Sequence, residues 1–502
     1  MADRPGQADR PPGPVAGLGG RGGRRPRSAQ RPAERARTGD PSRLTAYSLL
    51  RDVAGGAYAN LELPKRLRAQ HLSGRDAAFA TELAYGALRL QGRYDPMIAI
   101  AAGRELSAID ANVLDTLRLG AHQILGMRVP AHAAVAETVA LARQVNGAGA
   151  AGFVNAVLRR LSERTLAEWI GAILDPIPDP LERLAVEHSH PLWIVKALRA
   201  ALLGHGTATV ETVDAQLAHL LEVDNAAALV SLVARPGLAE VGELRAAGGT
   251  PGRWAATAVT WPGGDPGGIP AVRDGRAAVQ DEGSQLVAAA LAAVPVTGTA
   301  GERWLDLCAG PGGKAGLLGA LAVQRGAQFV ASDVSEHRVD LVRATLRPVV
   351  AAGAPGQVTV RVGDGRDIGT DEPESFDRVM VDAPCTGLGA LRRRPEARWR
   401  KQPTDVTQLA VLQRQLLTSA LDATRAGGVV AYVTCSPHLV ETRFAVSDVV
   451  KKRSDVEVLD AREFVVDATG RPLPDLGDGP FAQLWPHLHG TDAMFLALLR
   501  KR

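Results

Sequence analysis

The residues most able to do covalent chemistry are three cysteines, Cys308, Cys385 and Cys435. Their wide spacing excludes Cys-x-x-Cys metal ligation, and an odd number argues against a disulfide framework. Cys385 lies in Val381-Asp382-Ala-Pro-Cys385-Thr-Gly and Cys435 in Val433-Thr-Cys435-Ser-Pro437, each after an apolar run and each beside a proline. An isolated cysteine packs as a small hydrophobe, and Cys308, inside a glycine turn, reads that way. Two thiols on irregular turns at neighbouring strand ends are instead what nucleophilic catalysis asks for.

The glycine turn is Asp306-Leu-Cys-Ala-Gly-Pro-Gly-Gly-Lys314. Glycines let a backbone turn tightly and approach a ligand. Asp333 follows twenty residues after Gly313, at the end of the next apolar run, where a carboxylate can meet ribose hydroxyls. Gly363-Asp364-Gly365 adds a further acceptor after the third run, toward an adenine. Together these features predict a nucleoside pocket. Gly310-x-Gly312-x-x-Ala315 also satisfies the dinucleotide fingerprint, so a hydride-transferring nicotinamide enzyme is an alternative. That reading leaves Cys385 and Cys435 without a role.

Elements must hold these groups in place. Short apolar runs at 304–307, 328–332, 357–362, 376–381 and 429–433 alternate with helical stretches, which predicts βαβ units and a doubly wound parallel sheet. Leu409, Leu412, Leu416 and Ala420 give one of those helices an apolar stripe, between a Thr404-Asp405 start and a Gly427-Gly428 stop. Ahead of this, 46–53, 76–90, 110–125, 131–145 and 151–161 carry amphipathic helical spacing with no alternating pattern between them. The expected organisation is an all-α domain at 41–165, a proline-broken helical connector at 166–206, a small α/β module at 207–280 with a strand near 228–234, and a Rossmann-like α/β domain at 281–502.

Composition sets the class. Of 502 residues, 46% are apolar, 22% charged and only 4% aromatic, so the core is expected to be mostly Ala, Val and Leu. No apolar run approaches the ~18 residues of a membrane helix. Met1-Ala-Asp-Arg-Pro has no apolar signal region, so a cytoplasmic monomer with reduced thiols is expected. The net charge is +4, but residues 1–40 alone carry nine arginines against four acids, leaving the rest close to −1. That segment, with six prolines and eight glycines, is expected to be a disordered basic arm, either solvated or in loose contact with nucleic acid.

Three segments carry a resemblance to a known family. Asp306–Lys314, Asp-Ala-Pro-Cys-Thr-Gly-Leu-Gly at 382–389 and Thr-Cys-Ser-Pro at 434–437 resemble motifs of the RNA cytosine carbon-5 methyltransferases of the Sun/Nop type. Arg392-Arg-Arg-Pro-Glu-Ala-Arg-Trp399, Leu484–Asp492 and Gln280–Gln285 are similar to further segments of that family, so the likeness spans about 280–502. The helical region 41–165 resembles the NusB-like RNA-binding domain that precedes this core in Sun-type 16S ribosomal RNA methyltransferases. Gly310 stands where alanine is frequent in the family, and Ala315 where threonine is.

The resemblance implies S-adenosylmethionine as cofactor, held by Cys308, Ala309, Gly310, Pro311, Gly312, Gly313, Lys314, Asp333, Asp364 and Asp382. It implies Cys435 as the nucleophile on carbon 6, Cys385 as the group that removes the carbon-5 proton and releases the adduct, and Asp382 as the residue orienting the base. Lys314 and Arg392–Arg394 are candidates to favour a thiolate. Arg392, Arg393, Arg394, Arg398 and Arg400 around Trp399 combine phosphate partners with a stacking surface, and so are expected to bind RNA. No metal is expected: His188 with His190 and His487 with His489 lack the further ligands a site needs. The expected reaction forms 5-methylcytosine in 16S ribosomal RNA. Alternatives are the same chemistry on transfer RNA or 23S ribosomal RNA, or a non-catalytic RNA-binding assembly factor, which loss of either cysteine or of Asp382 would have favoured.

Overall fold

The computed structural model describes residues 40–297 and 301–502; the basic arm expected at 1–40 lies, but for Asp40, outside them. Asp40 caps the first helix, its carboxylate accepting a bond from the Arg43 N–H at 3.1 Å, and Pro41 occupies the first helical position. Proline is tolerated there because that N–H has no intrahelical partner. Six α-helices follow, Pro41–Ala54, Ala59–Ala69, Gly74–Ala102, Ala111–Leu125, Ala131–Val145 and Ala148–Leu161. Their apolar stripes meet in two clusters, one around Leu49, Leu83 and Leu119, the other around Met97, Leu117, Val154 and Leu158. The helix Ala59–Ala69 has no counterpart in the hydrophobic spacing: it buries only Ala59 and Leu63 and contains Pro64.

Residues 166–206 form helices Leu166–Leu174, Pro180–Glu187 and Leu192–Gly204; Pro180 and Pro191 fall at the starts of the last two, and Pro176 and Pro178 lie in the link before them. Trp169, Ile173 and Leu174 complete the helical domain's core. Ile194, Val195, Leu198 and Leu202 pack instead with Leu388, Leu391, Trp485 and Ala493 from the C-terminal part. The connector therefore fastens one part of the chain to the other.

Strands β1 (Val230–Ala234), β2 (Thr250–Pro251), β3 (Ala258–Trp261) and β4 (Ala277–Val279) make a small antiparallel sheet in the order β2-β3-β1-β4. The large sheet contains β5 (Arg303–Asp306), β6 (Gln328–Asp333), β7 (Val358–Val362), β8 (Phe376–Asp382), β9 (Thr424–Thr434), β10 (Val456–Leu459), β11 (Ala482–Gln483) and β12 (Phe495–Lys501). Its order is β10-β12-β9-β8-β5-β6-β7, with β11 paired to β12. Strands β5 to β9 run parallel, while β12 inserts antiparallel between β9 and β10. Both faces are covered by apolar clusters, which is why the strands read as continuous apolar runs. From β5 the chain winds outward through β6 to β7, then returns to β8 on the other side. That reversal opens a crevice outside the carboxyl ends of β5 and β8. Among the described residues, no helix is long and apolar enough to cross a membrane.

Candidate active site

The glycine turn leaves β5 and enters the helix Gly313–Gln324. Gly312 has φ 114°, a conformation side-chain-bearing residues avoid, and a Cβ on it would meet Thr345 at 2.8 Å. Gly310 is required for closeness: a Cβ there would lie 2.6 Å from Asp333 Oδ2. The Gly310 N–H donates to that oxygen at 3.0 Å, and Ser335 N–H donates to Oδ1 at 3.0 Å. Arg338, 43% exposed, pairs with Asp333 at 3.2 Å, so a ribose hydroxyl reaching this carboxylate would have to displace it. Asp364 is engaged by Arg366, which contributes both its backbone N–H and its guanidinium.

Between these two carboxylates the sequence reading missed an apolar surface. Val334 follows β6 and is 66% exposed, and Val362 ends β7 and is 48% exposed. Asp333 and Val362 are register partners, so the two valines present open apolar surface beside the acids. The available signal was an apolar residue directly after a strand-ending acid.

At the other side of the crevice, Lys314 Nζ pairs with Asp382 Oδ2 at 2.9 Å. Burial pulls the lysine down, but Asp382 with the further negative groups around it outweighs that and leaves it above its ordinary value. Asp306, at the tip of β5, is fully buried, and neither carboxylate oxygen has a hydrogen-bond partner. Burial, then the charge of Asp382, push its carboxyl up to about 8, against the pull of Lys314. Although it opens the glycine motif, Asp306 was not among the residues marked by sequence.

The paired strands β8 and β9 bring the two thiols together, with Cys385 Sγ 3.4 Å from Cys435 Sγ and both side chains partly exposed. Thr386 Oγ1 meets Ser436 Oγ at 3.2 Å, linking the two turns. Both Thr386 donors, its N–H and its hydroxyl, go to the carboxylate of Glu441, a fully buried residue the sequence reading did not mark. Gln413 donates to Pro384 O at 2.8 Å and to Glu441 at 3.3 Å, and Gly389 N–H donates to Cys435 O at 2.9 Å. The bond from Cys385, helped by Lys314 and Arg394, lowers the Cys435 thiol below its ordinary value despite burial and Asp382. The same bond and burial raise Cys385. Burial and Asp306 raise Cys308, which packs against one face of the sheet. Of the three, Cys435 is the one biased toward a thiolate.

The arginine segment differs from expectation. Arg398 is fully buried, and its guanidinium donates to the carbonyls of Arg89, Ser189 and Asp224 and to Asn225 Oδ1. Trp399 Nε1–H donates to Leu88 O at 3.1 Å. Arg400 donates to the carbonyls of Val53 and Ala57. Arg392 donates to Gly490 O at 2.8 Å, and Arg393 pairs with Asp281 and Asp492 at 2.6 and 3.0 Å. These side chains satisfy backbone carbonyls and acids within the chain, and Arg398, fully buried, is closed to any outside partner. Arg394 is the exposed member of the run. We expect Arg398→Met to lower folding stability by about 3–5 kcal/mol, because several buried acceptors lose their donor. Chemical denaturation checks this.

The histidines are likewise internal props: His190 Nδ1 meets His188 O at 2.7 Å, His487 Nε2 meets Gln216 Oε1 at 2.8 Å, and His489 Nδ1 accepts from Trp485 N–H at 2.9 Å. Among the described residues, no three His, Cys, Asp or Glu side chains form a metal-holding group.

A doubly wound sheet with a glycine turn after its central strand and acids at the next strand ends defines a Rossmann-like fold with a crevice suited to a nucleoside-bearing cofactor. Comparison with known proteins narrows the class. The family model described as 16S rRNA methyltransferase RsmB/F matches residues 293–500, and the NusB family model matches 40–163. A protein of Mycobacterium tuberculosis strain H37Rv named a putative methyltransferase is 52% identical over 470 residues, covering 93% of this chain and 98% of its own. The ribosomal RNA small subunit methyltransferase B of Pseudomonas putida is 32% identical over 403 residues, covering 79% of this chain and 86% of its own. The crystal structure of PH0851 superposes with a TM-score of 0.73 at 21% identity, covering 92% of this chain and 99% of that one, and so shares the fold. The chain belongs to the RsmB/F methyltransferase family, which sets aside the hydride-transfer alternative.

The residues present fit S-adenosylmethionine as that cofactor. It carries two cationic groups, a sulfonium and an ammonium, and the crevice offers the unpartnered carboxylate of Asp306 close to Asp382. Asp333 and Asp364, with the exposed Val334 and Val362 beside them, are the residues that would meet an adenosine. Because Asp306 keeps its proton up to about 8, the folded chain holds one proton more than the unfolded chain from the ordinary Asp range to that pH. Its stability therefore falls as pH rises across that window. Asp306→Asn should remove this dependence, giving a melting-temperature gain over wild type that grows from pH 5 to pH 8. The same variant should bind S-adenosylmethionine roughly 10- to 100-fold more weakly in calorimetry, the worth of a charge-assisted hydrogen bond.

Proposed function

We propose that this chain methylates carbon 5 of cytosine in RNA, with 16S ribosomal RNA as substrate, through a covalent adduct on Cys435. The observation that carries the reading is the pair of reachable thiols 3.4 Å apart, with the one nearer Lys314 and Arg394 biased to the thiolate. The small-subunit substrate is supported by relatives such as the Pseudomonas putida methyltransferase B, and it implies a cytoplasmic site of action.

Carbon 5 of cytosine is too weak a nucleophile to be methylated unaided. S-adenosylmethionine, when bound, supplies the methyl group as an electrophile. Addition of the Cys435 thiolate to carbon 6 breaks the ring's 5,6 double bond and puts electron density on carbon 5. Asp382, fixed by Lys314, accepts from the exocyclic amine and orients the ring, while the Lys314 ammonium beside it offsets the negative charge that addition creates. Once carbon 5 carries both a methyl and a proton, Cys385 takes the proton, the double bond re-forms and Cys435 leaves. Cys385 holds its own proton first because of Cys435. When Cys435 is a thioether that cause is gone, so Cys385 releases its own proton to solvent and, as the thiolate, accepts the carbon-5 proton. The target base must leave any stack for both ring faces to be reached.

The reading is tested by transfer of labelled methyl from S-adenosylmethionine to unmodified 16S, 23S and transfer RNA, with nucleoside analysis. Label as 5-methylcytosine in 16S RNA alone is expected. Label in another RNA overturns the substrate, and absence of 5-methylcytosine throughout, including in partly assembled subunits, overturns the chemistry.

A further inference from the structure

Tyr58 lies at the start of the helix Ala59–Ala69 in the NusB-like region, yet its surroundings belong to the catalytic part of the chain. On one side of it, Arg400 donates to the Ala57 carbonyl. On the other, the Ala59 N–H donates to Glu396 Oε1 at 3.3 Å. The backbone around Tyr58 is thus pinned to the 394–400 segment through both neighbours. The ring itself is left 50% exposed, and its side chain provides no cap to the helix it precedes.

Two guanidiniums approach that ring, Arg394 at 5.6 Å and Arg400 at 5.4 Å from its centroid. Arg400 is tied to backbone carbonyls, whereas Arg394 is exposed. Arg394 is also among the groups whose charge acts on the Cys435 sulfur. A half-exposed aromatic ring with the exposed Arg394 guanidinium over it, whose charge also acts on the reactive thiol, links the helical region to the catalytic turn. Trp399, which the sequence suggested as the stacking residue, is turned inward by its bond to Leu88 O.

We infer that Tyr58 and Arg394 together form a subsite, assembled from both ends of the chain, that stacks a base and neutralises a phosphate of single-stranded RNA next to the cytosine being methylated. The inference rests on the proposed RNA methylation. An extruded base leaves its neighbours without a stacking partner on one side, and an aromatic ring held by backbone pins supplies one at little entropic cost. The bound chemistry is a nucleotide in an unpaired segment, recognised through its π-face and phosphate and not through its base edge.

The test uses the full chain and an unmodified 16S RNA transcript, with affinity read by filter binding and turnover read by methyl transfer. Tyr58→Ala is expected to raise the RNA Kd and KM roughly 5- to 100-fold, the range of one base–aromatic stack, with kcat and S-adenosylmethionine affinity close to wild type. Tyr58→Phe keeps the ring and is expected to stay within about twofold of wild type. Arg394→Gln should reduce the slope of log Kd against log salt by about 1, the loss of one phosphate contact. The ring is half exposed, so melting temperature should not move in Tyr58→Ala. Unchanged RNA Kd and KM in Tyr58→Ala, while the wild type methylates the transcript, overturns the subsite alone. A wild type that makes no 5-methylcytosine overturns the reading beneath it.

Discussion

Replacing Cys435 with alanine is expected to lower methyl transfer at least about 1,000-fold, the scale on which covalent catalysts lose their nucleophile. Cofactor affinity should change little, because the contacts proposed for S-adenosylmethionine lie on the turn after β5 and at the ends of β5, β6, β7 and β8, and none is Cys435 itself. The neighbouring thiol does not substitute: its 3.4 Å contact with Cys435 and its burial both raise Cys385, so it stays a thiol. Single-turnover methyl transfer with parallel calorimetry separates the two effects. A variant that keeps a tenth of the activity would move the nucleophile to another residue.

Cys385→Ala has the opposite signature. Addition to carbon 6 and methylation still occur, but the carbon-5 proton has no acceptor, so the adduct accumulates as a covalent protein–RNA species retarded on denaturing gels and removed by protease. Most of the enzyme should be trapped when RNA is in excess. The pH dependence carries a further sign. Cys385 is the leading cause of the lowered Cys435 thiol, so its removal moves Cys435 toward its ordinary value. Adduct formation in Cys385→Ala should then rise over a higher pH range than single-turnover addition in the wild type. The double variant Cys385→Ala with Cys435→Ala should give no retarded species.

How much of this was legible depended on whether the local chain carried its own signal. Strands β5, β6 and β8 are buried on both faces, so their apolar runs stand out, and Asp333 and Asp382 at the ends of β6 and β8 were marked with them, whereas Asp306 at the end of β5 was passed over. Strand β12 is buried throughout as well, but its run Phe495–Leu499 has no alternation or turn signals to tell it from a helix. Its antiparallel insertion between β9 and β10 is a matter of long-range pairing. The helix after the catalytic turn ends at Ala423, and Gly427-Gly428, expected as its stop, lie inside β9, where the pairing to β8 shifts register.

The arginine run shows the limit most clearly. Five arginines and a tryptophan have the composition of a nucleic-acid surface, but composition does not reveal which carbonyls lie opposite. Arg398 and Trp399 donate to acceptors from residues 88 to 225, whose closeness exists only after folding. The aromatic facing the site comes from Tyr58, more than 300 residues earlier in the chain. Glu441 was missed for the same reason: one buried acid joins the two cysteine turns through Thr386.

The most direct measurement is where the RNA becomes attached. Incubating the wild-type chain and S-adenosylmethionine with 16S RNA containing 5-fluorocytidine should trap the adduct, because fluorine at carbon 5 cannot be removed as a proton is. Peptide mapping by mass spectrometry should then place the modified nucleotide on Cys435. Attachment to Cys385, or methylation of ordinary RNA by a chain that forms no adduct with the fluorinated one, would contradict the account.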